Sequence, residues 1–233
     1  MKRSIEIKKE LMRVFDEIAE EFDVKRTKPW PEAEKLLELK LVLDIGAGSG
    51  RHALYLARHG LEVVAADLSK RMMGILSAKA RKMGLTERIH VVCCDACNLP
   101  FRDGAFDGVL SLATIHHIPS KGERLKAVVE AKRVLKLHGM VVVSVWAVFQ
   151  PRFFKKLPGM FVSRILGKVE SFGDVYIPWK SRKGVFNRFH HLFTRRELLK
   201  LVKEAGLKVR EAYGRSFTTR FFAENHVIIA EKI

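Results

Sequence analysis

Between residues 41 and 60 the spacing of apolar positions changes from continuous to helical. Leu41, Val42, Leu43 and Ile45 form a nearly unbroken apolar run, which predicts a parallel strand covered on both faces. From about Arg51, Ala53, Leu54 and Ala57 recur at helical spacing, so the stretch reads as strand, tight turn and helix. The same alternation continues downstream. Residues 62–66 predict a second strand ending at Asp67, and Ser69 caps a helix to about Met83. Strands follow at 89–94, 106–112 and 140–146, with a crossover helix at 123–135 and Gly139 ending the turn after it. Thr194 caps a helix through Ala205, and residues 207–213 and 227–231 predict a closing antiparallel pair. Upstream, Leu11, Phe15, Ile18 and Phe22 mark an amphipathic helix over residues 5–22, packed on the domain. Pro29 and Pro31 end it and hold Arg26, Lys28 and Trp30 in an extended segment. Strands alternating with helices predict an α/β chain with a mostly parallel sheet. Residues 151–173 fit no such element and read as an insertion, followed by apolar segments at 174–179 and 185–193.

The turn after the first strand carries the first chemistry. Gly46, Gly48 and Gly50 alternate, which lets a ligand approach the main chain with no Cβ in the way. A dinucleotide fingerprint would place its third glycine one residue later, where this chain has Arg51. The free amides of the following helix would receive an anionic group. Asp67, at the end of the second strand, would offer a carboxylate to ribose hydroxyls, so loop and acid together indicate an adenosine-containing cofactor.

The pattern DxGxGxG beginning at Asp44, followed by Asp67, resembles the class I S-adenosylmethionine (SAM) methyltransferases over residues 41–232. The resemblance implies a Rossmann-like three-layer sandwich around a mostly parallel seven-stranded sheet with an antiparallel C-terminal strand. It also implies a SAM site built from Asp44, Gly46, Ala47, Gly48, Gly50, Asp67, Leu68, Met72, Asp95 and Ala96. Within it Met72 or Met73 would lie under the adenine, and Asp95 would accept from the adenine amino group.

Composition adds a partner. At 233 residues one domain is expected over 1–233, with an N-terminal helix and basic lip at 1–40 and a basic, substrate-side insertion at 151–193. The net charge is +17, and residues 151–196 hold eleven Lys/Arg against Glu170 and Asp174. That concentration favours a polyanionic partner, RNA or DNA, over a merely solvated surface. Four side-chain amides in the whole chain, beside 30% charged residues, suit a heat-adapted protein. No apolar run is long enough to span a membrane and the N-terminus lacks a signal peptide's apolar core, so a soluble, cytoplasmic protein is expected. Cys93, Cys94 and Cys97 make no disulfide framework and lack a nearby fourth ligand, so no metal is expected there.

Six separated stretches are more specific: VFDEIAEEFDVKRTKPWP (14–31), SLATIHHIPSKGER (111–124), VSVWA (143–147), DVYIPWK (174–180), VFNRFHHLF (185–193) and ENHVIIAEK (224–232). They resemble the tRNA methyltransferases that esterify 5-carboxymethyluridine at the wobble position, with His226 standing where that family has tryptophan. The resemblance implies tRNA as substrate and a small zinc-binding activator protein covering an apolar surface near the third strand, as a heterodimer. A carboxymethyl group is already ionised at neutral pH, so its site needs cations for orientation rather than a base. Arg26, Lys28 and Arg188 are the candidates, with His116 facing the cleft as a hydrogen-bonding positioner and His117 packing behind it. Trp30, Trp146 and Trp179 are candidate stacking surfaces, and Lys155, Lys156, Arg182 and Lys183 candidate tRNA contacts. The alternative is a SAM-dependent methyltransferase acting on a small molecule, such as a quinone or lipid precursor, or on a protein.

Overall fold

The computed structural model describes residues 2–218 and 221–233. Its main sheet comprises β1 (Leu41–Ile45), β2 (Glu62–Asp67), β3 (Ile89–Cys93), β4 (Phe106–Leu112), β5 (Leu135–Trp146), β8 (Lys208–Arg215) and β9 (Asn225–Glu231). Their spatial order is β3-β2-β1-β4-β5-β9-β8. The first five are parallel, and β9 runs antiparallel between β5 and β8. The order reverses direction between β1 and β4, which opens a crevice at the carboxyl ends of those strands.

Alternate residues of the strands feed two separate cores, and this explains why β1 is apolar throughout. Leu43, Ile45, Val109 and Val141 pack under α4 (Lys121–Val134) and α6 (Arg195–Glu204), through Val128, Ala131, Leu198 and Val202. Val42, Val63, Leu110 and Val142 face the other way, against Ala33 and Leu36, α2 (Arg51–Arg58) and α3 (Lys70–Lys82). The result is three layers. Caps fall where the sequence places them: Ser69 Oγ accepts from Met72 N at 3.1 Å, and Thr194 Oγ1 accepts from Glu197 N at 3.2 Å.

Two elements cover the crevice. Helix α1 (Lys2–Lys25) is longer than its apolar stripe, and β6 (Asp174–Ser181) with β7 (Gly184–His191) forms a separate antiparallel hairpin. They meet through Val14, Ile18, Phe22, Trp179 and Phe186. Three local differences from the sequence expectation have physical causes. The insertion at 151–173 is not structureless, because Pro151–Lys156 forms a 3-10 turn and Leu157–Ile165 forms α5, each opened by a proline. Strand β5 begins at Leu135 rather than at 140, with an irregular register opposite Phe106 to Gly108. His138 takes φ 62° there, so Gly139 lies within that strand rather than ending a turn. Strand β3 ends at Cys93, one residue early. No helix among the described residues is long and apolar enough to cross a membrane.

Candidate active site

The glycine loop is clamped to β2 by Gly46 N and Ala47 N, which donate to Ala66 O at 2.7 and 3.1 Å. Gly46 has φ +72°, and a Cβ on it would fall 2.2 Å from Thr114 Cγ2. Gly50 has φ +87°, and a Cβ there would fall 2.1 Å from Leu76 Cδ1. Both positions therefore need glycine for conformation and for space. The cavity above the loop is lined by Gly46, Ala47, Gly48, Asp67, Leu68, Met72, Asp95 and Ala96, while Asp44 and Gly50 stand behind it.

Asp67 is held by two backbone donors, Gly48 N to Oδ2 and Ser69 N to Oδ1, both at 2.9 Å. Burial raises its pKa, against the pull of those amides. Asp44 is buried with no hydrogen-bond partner for Oδ2 among the described residues. Burial pushes its pKa up to about 7, opposed by the charge of Arg51. The cavity suits an adenosine-bearing ligand with a positive charge: Asp67 faces it for a ribose diol, and the buried Asp44 behind the glycine cradle acts only through its field. SAM is such a ligand, and the residues fit it.

The roof of this cavity was not legible as such in the sequence. Lys8, Leu11, Met12, Phe15 and Phe22 of α1 line it. Lys8 Nζ lies 2.9 Å from Asp95 Oδ2 and 2.8 Å from Glu123 Oε1. Burial works to lower the Lys8 pKa, but those carboxylates outweigh it and raise it. Asp95, expected to be open to an adenine, thus already holds Lys8, and its Oδ1 accepts from Cys97 N at 2.9 Å. Asp16 and Asp23 tie the same helix to Ser69 and Lys79, at 2.5 and 2.6 Å.

At the other end of the crevice the histidine pair is reversed from expectation. His116 is buried, 1% exposed, with Nδ1 accepting a 3.3 Å hydrogen bond from Trp146 N, whereas His117 lines the cavity. The cause is a 3-10 turn at Ile115–His117, which turns the first ring into the wall. Beside them His190, with no exposure, stacks on Trp146 at 4.6 Å. Burial depresses the pKa of all three histidines, His117 to about 3, so the rings are neutral at physiological pH.

Arg188 sits next to this cluster, 5% exposed, and forms no ion pair among the described residues. Its Nε has no hydrogen-bond partner among the described residues, and burial followed by the fields of Arg26 and Arg152 pushes its pKa down to about 10. Arg26 lines the cavity mouth, whereas Lys28 is exposed and stands outside the lining. Trp146 carries Arg152 over its ring at 4.3 Å, and Trp30 carries Arg51 at 5.1 Å. Trp179 is not an open stacking surface: it is 8% exposed, with Arg188 and Lys25 at 4.8 and 4.7 Å from its ring. Lys155 and Lys156 are exposed before α5. Lys183, at the hairpin tip, is already paired with Glu17 at 3.0 Å, and Arg182 N donates to Glu21. Neither a strand histidine such as His190 nor one basic residue among many such as Arg152 carries a spacing signal in the sequence.

Comparison with known proteins agrees with this geometry. The family profile described as a methyltransferase domain matches residues 43–143. A solved SAM-dependent methyltransferase from Methanosarcina mazei superposes with a TM-score of 0.73 at 24% identity, over 88% of this chain and 99% of that one. Fold, cradle and profile define a class I, SAM-dependent methyltransferase. A Schizosaccharomyces pombe protein named tRNA (carboxymethyluridine(34)-5-O)-methyltransferase is 30% identical over 94% of this chain and 95% of its own length. The chain belongs to that protein's family. An Arabidopsis thaliana protein of the same name is 33% identical over 61% of this chain, which spans only 34% of that longer relative.

One consequence concerns the cofactor alone. If Asp67 accepts from the ribose diol, Asp67→Ala removes charge-assisted hydrogen bonding worth roughly 1.5–3 kcal/mol in all, and is expected to weaken SAM binding about 10- to 100-fold. Titration calorimetry with SAM measures this, and an unchanged affinity removes Asp67 from the site.

Proposed function

We propose that this enzyme methylates the carboxylate oxygen of a 5-carboxymethyl group on a tRNA wobble uridine. The observation that carries the proposal is Arg188, a buried guanidinium with no anionic partner among the described residues, which does not itself line the SAM cavity but stands close enough to His117, which does, to act on that ring. An unpaired buried charge is costly unless a ligand supplies the counter-charge. Arg26 and Arg152 add their fields to the same region, so the expected ligand group is an anion. The names of the family relatives, which specify carboxymethyluridine(34), point to the same group.

When bound, SAM supplies a methyl group activated on a sulfonium. The chain's own task is to position the acceptor in line with it. Arg188 would orient the carboxylate by two-pronged hydrogen bonding, with Arg26 at the mouth. A carboxylic acid, which ordinarily titrates at roughly pH 4, is ionised at neutral pH, so no general base is required. The pKa of His117, depressed by burial to about 3, agrees with that, since such a ring is a poor proton acceptor at pH 7. Trp146 already stacks on His190 and carries Arg152, so Trp30, with Arg51 near its ring, is the better surface for a neighbouring base. The test is mass spectrometry of nucleosides from carboxymethyl-containing tRNA incubated with enzyme and labelled SAM. Label in the methyl ester of 5-carboxymethyluridine is expected; label only in another nucleoside, or only in a small-molecule acceptor, overturns the reading.

A zinc-binding activator belongs to the same proposal. Strand β3 is at the sheet edge and exposes Val91 and Cys93, a surface open to strand pairing or apolar cover. Co-expression with such a protein is expected to raise both yield and specific activity. Full activity of the purified chain alone makes the activator unnecessary.

A further inference from the structure

We propose that His116, His117 and His190 form a binding site for a divalent transition-metal ion of the zinc type. One ring nitrogen from each histidine lies within 4.8 Å of the other two. The ring centres are 4.4 Å apart for His116–His117 and His117–His190, and 5.3 Å for His116–His190. Two imidazoles bonded at roughly 2.0–2.1 Å to one tetrahedral ion have their centres about 5 Å apart, so small side-chain shifts close the site.

The hydrogen bonds at the back of the rings fix the nitrogens that remain. His117 Nδ1 is 3.0 Å from Phe189 O, and His190 Nδ1 is 3.0 Å from Arg188 O. A carbonyl only accepts, so each Nδ1 carries the proton and each Nε2 keeps its lone pair. Backbone carbonyls that fix the tautomer in this way are the outer shell that metal-bound histidines use. His190 has no exposure, and its Nε2 has no hydrogen-bond partner among the described residues. A buried lone pair with nothing to accept asks for an ion or a water. His116 contributes by releasing its long 3.3 Å contact with Trp146 N. Three neutral ligands leave a fourth position open, and the adjacent Arg188 charge, which acts on all three rings, favours an anion or hydroxide there. The site stands independently of which acceptor is methylated.

The test uses the full chain, free of any affinity tag, stripped with chelator and titrated with Co2+ and then Zn2+. One Co2+ per chain with tetrahedral-type visible absorption is expected, displaced by Zn2+. His117→Asn and His190→Asn should weaken binding at least tenfold, while His90→Asn, at an exposed pair with Glu62, should not. His190→Cys should keep the ion and add a sulfur-to-cobalt charge-transfer band, a signal that mere misfolding cannot produce. Near-ultraviolet circular dichroism and thermal unfolding of each variant verify that the fold is retained. Absence of cobalt absorption in the unsubstituted protein, or equal affinity in His117→Asn, overturns the site and leaves a water among the rings. Neither result touches the nucleoside assay, so the metal site and the tRNA reading fail separately.

Discussion

Arg188→Ala is expected to lower turnover on saturating carboxymethyl tRNA roughly 10²-fold while changing tRNA affinity little. The guanidinium is buried between Trp179 and the histidine cluster, far from bulk water that could replace it. Removing one member of a buried, hydrogen-bonded charge pair costs about 2–5 kcal/mol, of which the acceptor's loss of orientation falls on the transition state. Affinity for the whole tRNA rests on many exposed cations, so one lost contact in the cleft changes it little. Arg188→Lys should recover only part of the rate, because an ammonium cannot reproduce the planar two-pronged contact. Single-turnover kinetics beside filter binding separates the two quantities. An Arg188→Ala enzyme with full turnover removes the carboxylate site from Arg188. Equal losses in turnover on a small apolar acceptor would show that the substitution had damaged the cavity rather than the anion contact.

The parts of this site that the sequence made legible are those set by short-range rules. The glycines at 46, 48 and 50, the strand ending in Asp67 and the cap at Ser69 are local patterns, and the structure brings them together at the switch point between β1 and β4. Arg188 was found because a basic residue sits within a motif, not because its burial was visible. What was not legible depends on how distant segments dock. The stripe Leu11, Phe15, Ile18, Phe22 predicts a helix, but not that its face roofs the cofactor cavity with Lys8 on Asp95. The orientation of His116 and His117 turns on a three-residue 3-10 turn, where adjacent side chains diverge by an angle that no apolar period reveals. Trp179 read as a stacking surface for the same reason: the sequence shows a tryptophan between a proline and a lysine, and only the docking of α1 on the hairpin buries it.

That docking also sorts the basic residues, and the sorting gives the second large effect. If residues 151–196 contact tRNA phosphates, log affinity falls with log salt by roughly 0.7–0.9 per neutralised phosphate. Lys155, Lys156, Arg164 and Lys168 are all exposed around α5, where Phe154 and Phe161 expose rings able to stack on unpaired bases. Changing these four together to Ala should flatten the slope by about 3 and weaken tRNA binding strongly at low salt, with SAM affinity untouched. Lys183 is different, since Glu17 already neutralises it at 3.0 Å. Lys183→Ala should therefore change the slope by much less than one contact, although sequence alone ranks it with the others. Binding measured across a salt series decides the matter. A fourfold variant with the slope of the unsubstituted protein would show that the α5 face is solvated surface, and tRNA would then have to be held elsewhere, for instance at Arg26, which lines the cavity.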